Sequence, residues 1–268
     1  MRLSPTRWQA STGIRSGRLL RAWLSRVRLR VVAGSRHDGG GTVGHDGVLV
    51  GGRARRLGPA RHELRLPPVP TAYRRWAHYE HGETVRATND AVAGATSSDV
   101  LDQLASDEQL IDHVRGAKVV EIEVGANDVA YSKSCGTALD CYTSRIPSVE
   151  TNLNAIVDRT RELTSSQKAL VVLLDYWSVW LGGRYAAAKG AAYVSTAEQL
   201  TDDVDAVIKS TAAASGSGYV DLRGAFKGPT YAFDETHYLS SDGDHPDAAG
   251  HQQIAAATEA VVEKALHL

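Results

Sequence analysis

From Thr84 onward the chain alternates short apolar runs with longer stretches in which apolar residues recur every three or four positions. TVRATNDAV (84–92) reads as a strand, and SSDVLDQLASDEQLIDHV (97–114) as a helix capped by Ser97 or Ser98. AKVVEIEV (117–124) is apolar enough for a buried strand, PSVETNLNAIVDRTRELT (147–164) has helical periodicity, and KALVVLLD (168–175) is a second buried strand. STAEQLTDDVDAVIKSTAAA (195–214) predicts a helix, GYVDL (218–222) a short strand, and DAAGHQQIAAATEAVVEKAL (247–266) the closing helix. The small residues at 213–217 read as a flexible turn. Strands separated by helices imply an α/β protein, with a parallel sheet covered by helices on both faces. In such three-layer α/β/α sheets, chemistry gathers at the carboxyl ends of the strands.

Residues 1–83 break this pattern, and together with 84–268 they divide the chain into an irregular Arg/Gly-rich region and an α/β domain. Residues 1–75 hold sixteen Arg, no Lys and only Asp38, Asp46 and Glu63, a formal charge of +13 against −14 for the rest. Such an arm suits phosphate or another anionic surface. It carries no recognisable nucleic-acid module, and its Gly clusters show no sustained periodicity, so nucleic-acid binding is the weaker reading. No apolar run reaches the length of about eighteen residues that a membrane span needs. Arg18, Arg21, Arg26, Arg28 and Arg30 interrupt every stretch that would serve as the apolar core of an export signal.

Candidate chemistry sits where the strands end. AVAGATSSD places Gly94 at the turn into a helix, VEIEVGANDVA (120–130) carries an apolar strand straight into Asn127, and DGDHPDAAGH puts Asp242 three residues ahead of His245. Each has a plain structural explanation: a turn glycine, a loop cap, and a helix cap beside a chance histidine. Their joint order at successive strand ends points to acyl transfer. That reaction needs a base, a carboxylate to fix the base's tautomer, and donors aimed at developing negative charge.

On these residues, 84–268 resembles the SGNH, or GDSL-type, hydrolases, particularly secreted actinobacterial esterases and lipases. Gly94 matches the glycine block, Asn127 in GAND the asparagine block, and Asp242 and His245 in DGDHP the Asp-x-x-His-Pro block. The resemblance implies a flavodoxin-like parallel sheet and hydrolysis of small lipid or carbohydrate esters through a serine acyl intermediate. His245 would be the base, Asp242 its orienting partner, and Gly94 N–H with the Asn127 amide the oxyanion donors. It also implies secretion, a monomer, and no cofactor or metal.

The serine block is missing: no GDS occurs, although the family places it upstream of Gly94 at the end of the first strand. Ser35 in RLRVVAGSRHDGG follows a short apolar run, as a nucleophile at a strand-to-turn junction does. It lacks the neighbouring Asp, and its Arg-laden strand suits the centre of a sheet poorly. A shift of reading frame accounts for both the loss and the composition. Read displaced by one nucleotide, the degenerate codons for RARRLG (53–58) permit ALGDS, with the serine codon straddling Leu57 and Gly58. A frameshift over about 48–83 would leave an inactive family member, neighbouring strand edges unpaired, and residues 1–83 largely irregular.

Cys135 and Cys141 enclose five residues in a polar loop after the asparagine block, and oxidising compartments close such loops with disulfides. That segment offers no His and no further Cys for zinc. DYWSVWLGGRY (175–185) places Trp177, Trp180 and Tyr185 either around an acyl pocket or over the sheet's edge. Phe226, Tyr231, Phe233 and His237 precede the Asp-His block. His237 is the rival base, although its spacing from Asp242 does not match. Asp244 and Asp247 read as solvated caps, and His251 as packing in the first turn of the last helix.

Overall fold

The computed structural model describes residues 28–33 and 86–267. Among the described residues, five parallel strands form one sheet: β1 (Arg28–Ala33), β2 (Arg86–Asn89), β3 (Val119–Glu123), β4 (Leu170–Leu174) and β5 (Gly218–Val220), in the order β2-β1-β3-β4-β5. The helices are α1 (Ser97–Ser106), α2 (Glu108–Arg115), α3 (Asp140–Thr143), α4 (Ile146–Leu163), α5 (Gly183–Ala187), α6 (Ala191–Ser215), α7 (Leu222–Lys227) and α8 (Ala248–Leu266). Short 3₁₀ turns occupy Ala126–Val129 and Glu235–Tyr238.

β3 and β4 divide their side chains between two cores because strand side chains alternate between faces. Val120 and Ile122, with Val171 and Leu173, meet α1, α2, α4 and α6 through Val100, Leu110, Ile156 and Leu200. Val119, Val172 and Leu174 meet α7 and α8 through Leu222, Phe226, Ile254 and Val262. The result is the expected three-layer α/β/α sandwich.

The sequence reading is corrected in three places. The single helix expected over 97–114 is two, because Asp107 closes α1 and then caps α2 through its side chain and Leu110 N–H. The cap of α1 is Thr96 instead of Ser97 or Ser98. Its hydroxyl and Asp99 form a reciprocal capping box. Residues 28–33, expected to be irregular, form β1 in the sheet interior, with Leu29 to Ala33 in register with Val119 to Glu123 and Arg28 to Val31 in register with Arg86 to Asn89. A parallel ladder is made by backbone groups, so an arginine-rich segment satisfies the facing edges of β2 and β3 as an apolar one does. The remainder of 1–83, with Ser35 and the Arg-rich arm, lies outside the described residues.

Candidate active site

Gly94 and Asn127 leave the carboxyl ends of β2 and β3. Gly94 takes φ +81°, a conformation that only glycine adopts cheaply, and the chain there turns into α1. Gly125, at φ +130°, starts the 3₁₀ turn that carries Asn127. The two loops are fastened together. Asn127 Nδ2 donates to the Ala95 carbonyl at 2.9 Å, and Asp128 accepts from Ser97 N–H at 2.9 Å and from Ser97 Oγ at 2.7 Å. Asn152 of α4 donates to the same Ser97 oxygen at 3.0 Å. Ser97 is therefore a fully enclosed clamp residue (0% exposed) and not a cap. Burial pushes the Asp128 carboxyl above the usual carboxylate range against the opposing pull of its Ser97 bonds.

Asp242 and His245 lie in a turn ahead of α8. Asp242 Oδ2 meets His245 Nδ1 at 2.9 Å, while Oδ1 accepts from the backbone N–H groups of Asp244 at 3.0 Å and His245 at 3.1 Å. Partial burial raises the Asp242 carboxyl, but these bonds outweigh it and hold the group below its ordinary value. The imidazole is half open to solvent, with 48% of its side chain exposed. Gly243 allows the turn at φ +78°, and Tyr185 packs against it so closely that a Cβ there would overlap the ring. Asp247 caps α8 through Ala249 N–H at 2.8 Å and Gly250 N–H at 3.0 Å, as expected. Asp244 departs from the expected solvated cap: it is buried, with Oδ2 4.0 Å from His245 Nδ1.

The segment after β4 ties these loops to one another. Trp180 Nε1 donates to Val129 O at 2.8 Å, next to the Asn127 turn, and Gly182 N–H donates to Gly243 O at 2.8 Å, inside the Asp242–His245 turn. Gly94, Asn127 and the Asp-His pair thus belong to one connected set of loops beyond the strand ends. His237 instead lies with its ring 3.9 Å from that of Tyr238 and acts electrostatically on Asp234. His251 is half-buried in α8, and burial lowers its pKa.

The aromatic segment divides. Trp180 is fully buried among Tyr131, Tyr142 and Tyr193 and is core. Trp177 stacks on Phe226 at 4.3 Å and lines a cavity of about 420 Å³. Unforeseen in the sequence is a buried acidic network behind this segment. Asp175 accepts from Leu222 N–H at 2.6 Å and from the Tyr219 hydroxyl, and burial lifts its pKa to about 6. Arg223 pairs with Asp202 and approaches Asp205 at 3.9 Å. These side chains lie far apart in sequence, and no spacing signals them.

Cys135 and Cys141 are disulfide-bonded, as expected. No helix among the described residues is long and apolar enough to cross a membrane.

Comparisons with known proteins agree with this architecture. The model of the GDSL-like lipase/acylhydrolase family matches residues 58–253, well over half of the chain. Among solved structures, the lipase Lip_vut3 from a goat rumen metagenome superposes with a TM-score of 0.62 at 19% identity, covering 88% of this chain and 97% of its own. Axe2, an acetylxylan esterase from Geobacillus stearothermophilus, gives a TM-score of 0.55 at 19% identity over 88% of this chain and 94% of its own. At these identities the likeness is one of fold. No curated protein matches the chain.

Proposed function

Because the chain belongs to the GDSL-like lipase/acylhydrolase family, we propose that its loops form a carboxylic-ester hydrolase site with His245 as general base, Asp242 as its positioning carboxylate, and Gly94 N–H and Asn127 as oxyanion donors. The observation that carries the reading is the 2.9 Å contact of His245 Nδ1 with Asp242. A carboxylate at Nδ1 fixes the tautomer in which Nε2 is the proton-accepting nitrogen and stabilises the imidazolium that forms. Asn127 supports its role similarly, since one amide hydrogen is spent on Ala95 O and the other remains for a substrate oxygen.

With the lost serine block restored, the steps follow. His245 takes the hydroxyl proton as the oxygen bonds to the acyl carbon, and the oxyanion is held by Gly94 N–H and the Asn127 amide. Collapse of this intermediate breaks the ester C–O bond, and the departing alcohol takes the proton from His245. Water then repeats the sequence on the acyl-serine and releases the acid. No GDS is present, and on this reading the chain as written lacks its nucleophile and is an inactive member of the family. Restoring the displaced frame over residues 53–70 tests the reading. The restored chain hydrolyses p-nitrophenyl butyrate, and His245→Ala removes most of that turnover. A restored chain that folds and labels on its new serine yet keeps full activity as His245→Ala refutes the assignment of the base.

A second reading is favoured by β1. Arg28–Ala33 lies between β2 and β3, where the family's first strand belongs, and Ser35 follows its last residue by two positions. On this reading Ser35 is the nucleophile of an active enzyme, and Ser35→Ala abolishes an activity that the chain already has.

A further inference from the structure

Three consecutive backbone N–H groups at the start of α5 are each taken up by a different partner. Gly182 N–H donates to Gly243 O at 2.8 Å, Gly183 N–H to Glu235 Oε1 at 2.9 Å, and Arg184 N–H to Thr236 Oγ1 at 2.9 Å. The first bond reaches inside the Asp242–His245 turn, and Tyr185 of α5 packs on the same Gly243. α5 therefore holds that turn at two points, and Glu235 holds the start of α5. Glycine permits the approach, since a Cβ on Gly182 would lie 2.6 Å from Glu235 Oε1.

Glu235 is 1% exposed, and its second oxygen, Oε2, meets Lys227 Nζ of α7 at 3.0 Å. Burying an ion pair returns little net stability, because the loss of hydration offsets the attraction. What the contact with Lys227 does is fix the carboxylate in one direction, with Oε1 turned to Gly183 N–H. The 3₁₀ turn Glu235–Tyr238 also grips the Asp242–His245 turn from its far side. Tyr238 O accepts from Asp247 N–H at 2.7 Å, Leu239 bridges Pro246, and Ser240 N–H donates to His245 O at 2.8 Å. Segments 182–185, 235–240 and 243–247 thus meet at one junction, and Glu235 ties the first of them to the second through its side chain.

We infer that Glu235 is a positioning residue for the Asp242–His245 pair. Its Oε1, steadied by Lys227, sets the Gly182–Gly183 backbone; that backbone sets Gly243, and with it the 2.9 Å contact of Asp242 with His245 Nδ1. The inference rests on the ester-hydrolase reading for His245 being the base, but the positioning needs no nucleophile and is measured in the full chain as written. Nitrogen-15 NMR of the His245 imidazole, at a pH where the ring is neutral, gives the ratio of its Nδ1–H to Nε2–H tautomers. The parent is expected to show an excess of the Nδ1–H form, because Asp242 accepts from Nδ1. Glu235→Ala is expected to lower the ratio about fivefold or more, the effect of losing one buried hydrogen bond. Glu235→Gln combined with Lys227→Met, a neutral pair that leaves the amide oxygen for Gly183 N–H, is expected to retain most of it. Gly182→Ala, whose methyl group pushes Glu235 away, is expected to lower the ratio too, and it carries the test if circular dichroism shows Glu235→Ala unfolded. In the frame-restored chain Glu235→Ala is expected to lower kcat for p-nitrophenyl butyrate by a similar factor with KM nearly unchanged. A purely structural role lowers stability and leaves the tautomer ratio of the folded variants at the parent value. That result overturns the inference, as does a neutral pair no better than Glu235→Ala. A parent without an excess of the Nδ1–H form overturns the inference and the assignment of the base together. The expected tautomer ratios with an inactive frame-restored chain support the positioning and refute the ester-hydrolase reading.

Discussion

Ser97 gives both its N–H and its hydroxyl to the carboxylate of Asp128, across 31 residues of sequence, and so locks the Gly94 loop to the Asn127 turn. Ser97→Ala leaves Asp128 and Asn152 each short of a partner in a part-buried setting, an expected loss of about 1–3 kcal/mol in urea unfolding. A double-mutant cycle with Asp128→Asn isolates the coupling. Additive losses in that cycle contradict the clamp.

The Asp242–His245 turn depends on Gly243. Gly243→Ala places a methyl group against Tyr185 and requires an L-residue at φ +78°. The expected cost is about 2 kcal/mol, combining backbone strain with overpacking. Tyr185→Ala in the same chain relieves the overlap but not the strain, so it recovers only part of the loss. Full recovery would show that the backbone pays nothing at this position.

Two buried carboxyls make stability depend on pH. Glu121 and Glu123 are raised to about 8 chiefly by burial, with the neighbouring Glu123 adding to the shift of Glu121 and Asp175 to that of Glu123. Their folded values lie above the ordinary 4.5, so the folded state holds more protons between these limits. Their contribution is fully present below about pH 4.5 and is lost as pH rises through about 8. Denaturant unfolding is expected to give lower stability at pH 8 than at pH 5, and Glu121→Gln to flatten the difference. Equal slopes for parent and variant contradict the buried-carboxyl account.

The Cys135–Cys141 bond encloses a short loop, and its removal is expected to cost about 2 kcal/mol by chain entropy. Tyr142 still anchors the loop, its hydroxyl donating to Gly136 O at 2.9 Å, so Cys135→Ser with Cys141→Ser should lower the melting temperature without unfolding the domain. Thiol titration of the untreated chain should find none free. Two titratable thiols contradict the bond.

Periodicity carried most of the described fold, because β3, β4, α4, α6 and α8 each bury an apolar stripe or run that the sequence displays directly. Asp107 escaped it: a residue that ends one helix and caps the next looks like one more polar position on a helix face. β1 was legible only as a short apolar run before Ser35, whose arginines argued against the sheet interior; its pairing is settled by backbone groups that no side-chain pattern reports. At the candidate site the local spacing of Asp242 and His245 was legible. The Ser97–Asp128 clamp, the Trp180–Val129 tie and the network around Asp175 arise from tertiary contacts between distant segments and leave no local trace.

On the proposed reading, the loops at the strand ends form an ester-hydrolase site whose nucleophile is missing from the chain as written. Labelling with a fluorophosphonate serine probe, followed by mass-spectrometric mapping of the adduct, is the sharpest test of that site. No stoichiometric label is expected on the purified chain, and the restored serine of the frame-corrected chain is expected to label and to lose the label in His245→Ala. Stoichiometric labelling of the unaltered chain at Ser35, abolished by His245→Ala, would contradict that reading and establish Ser35 as the nucleophile.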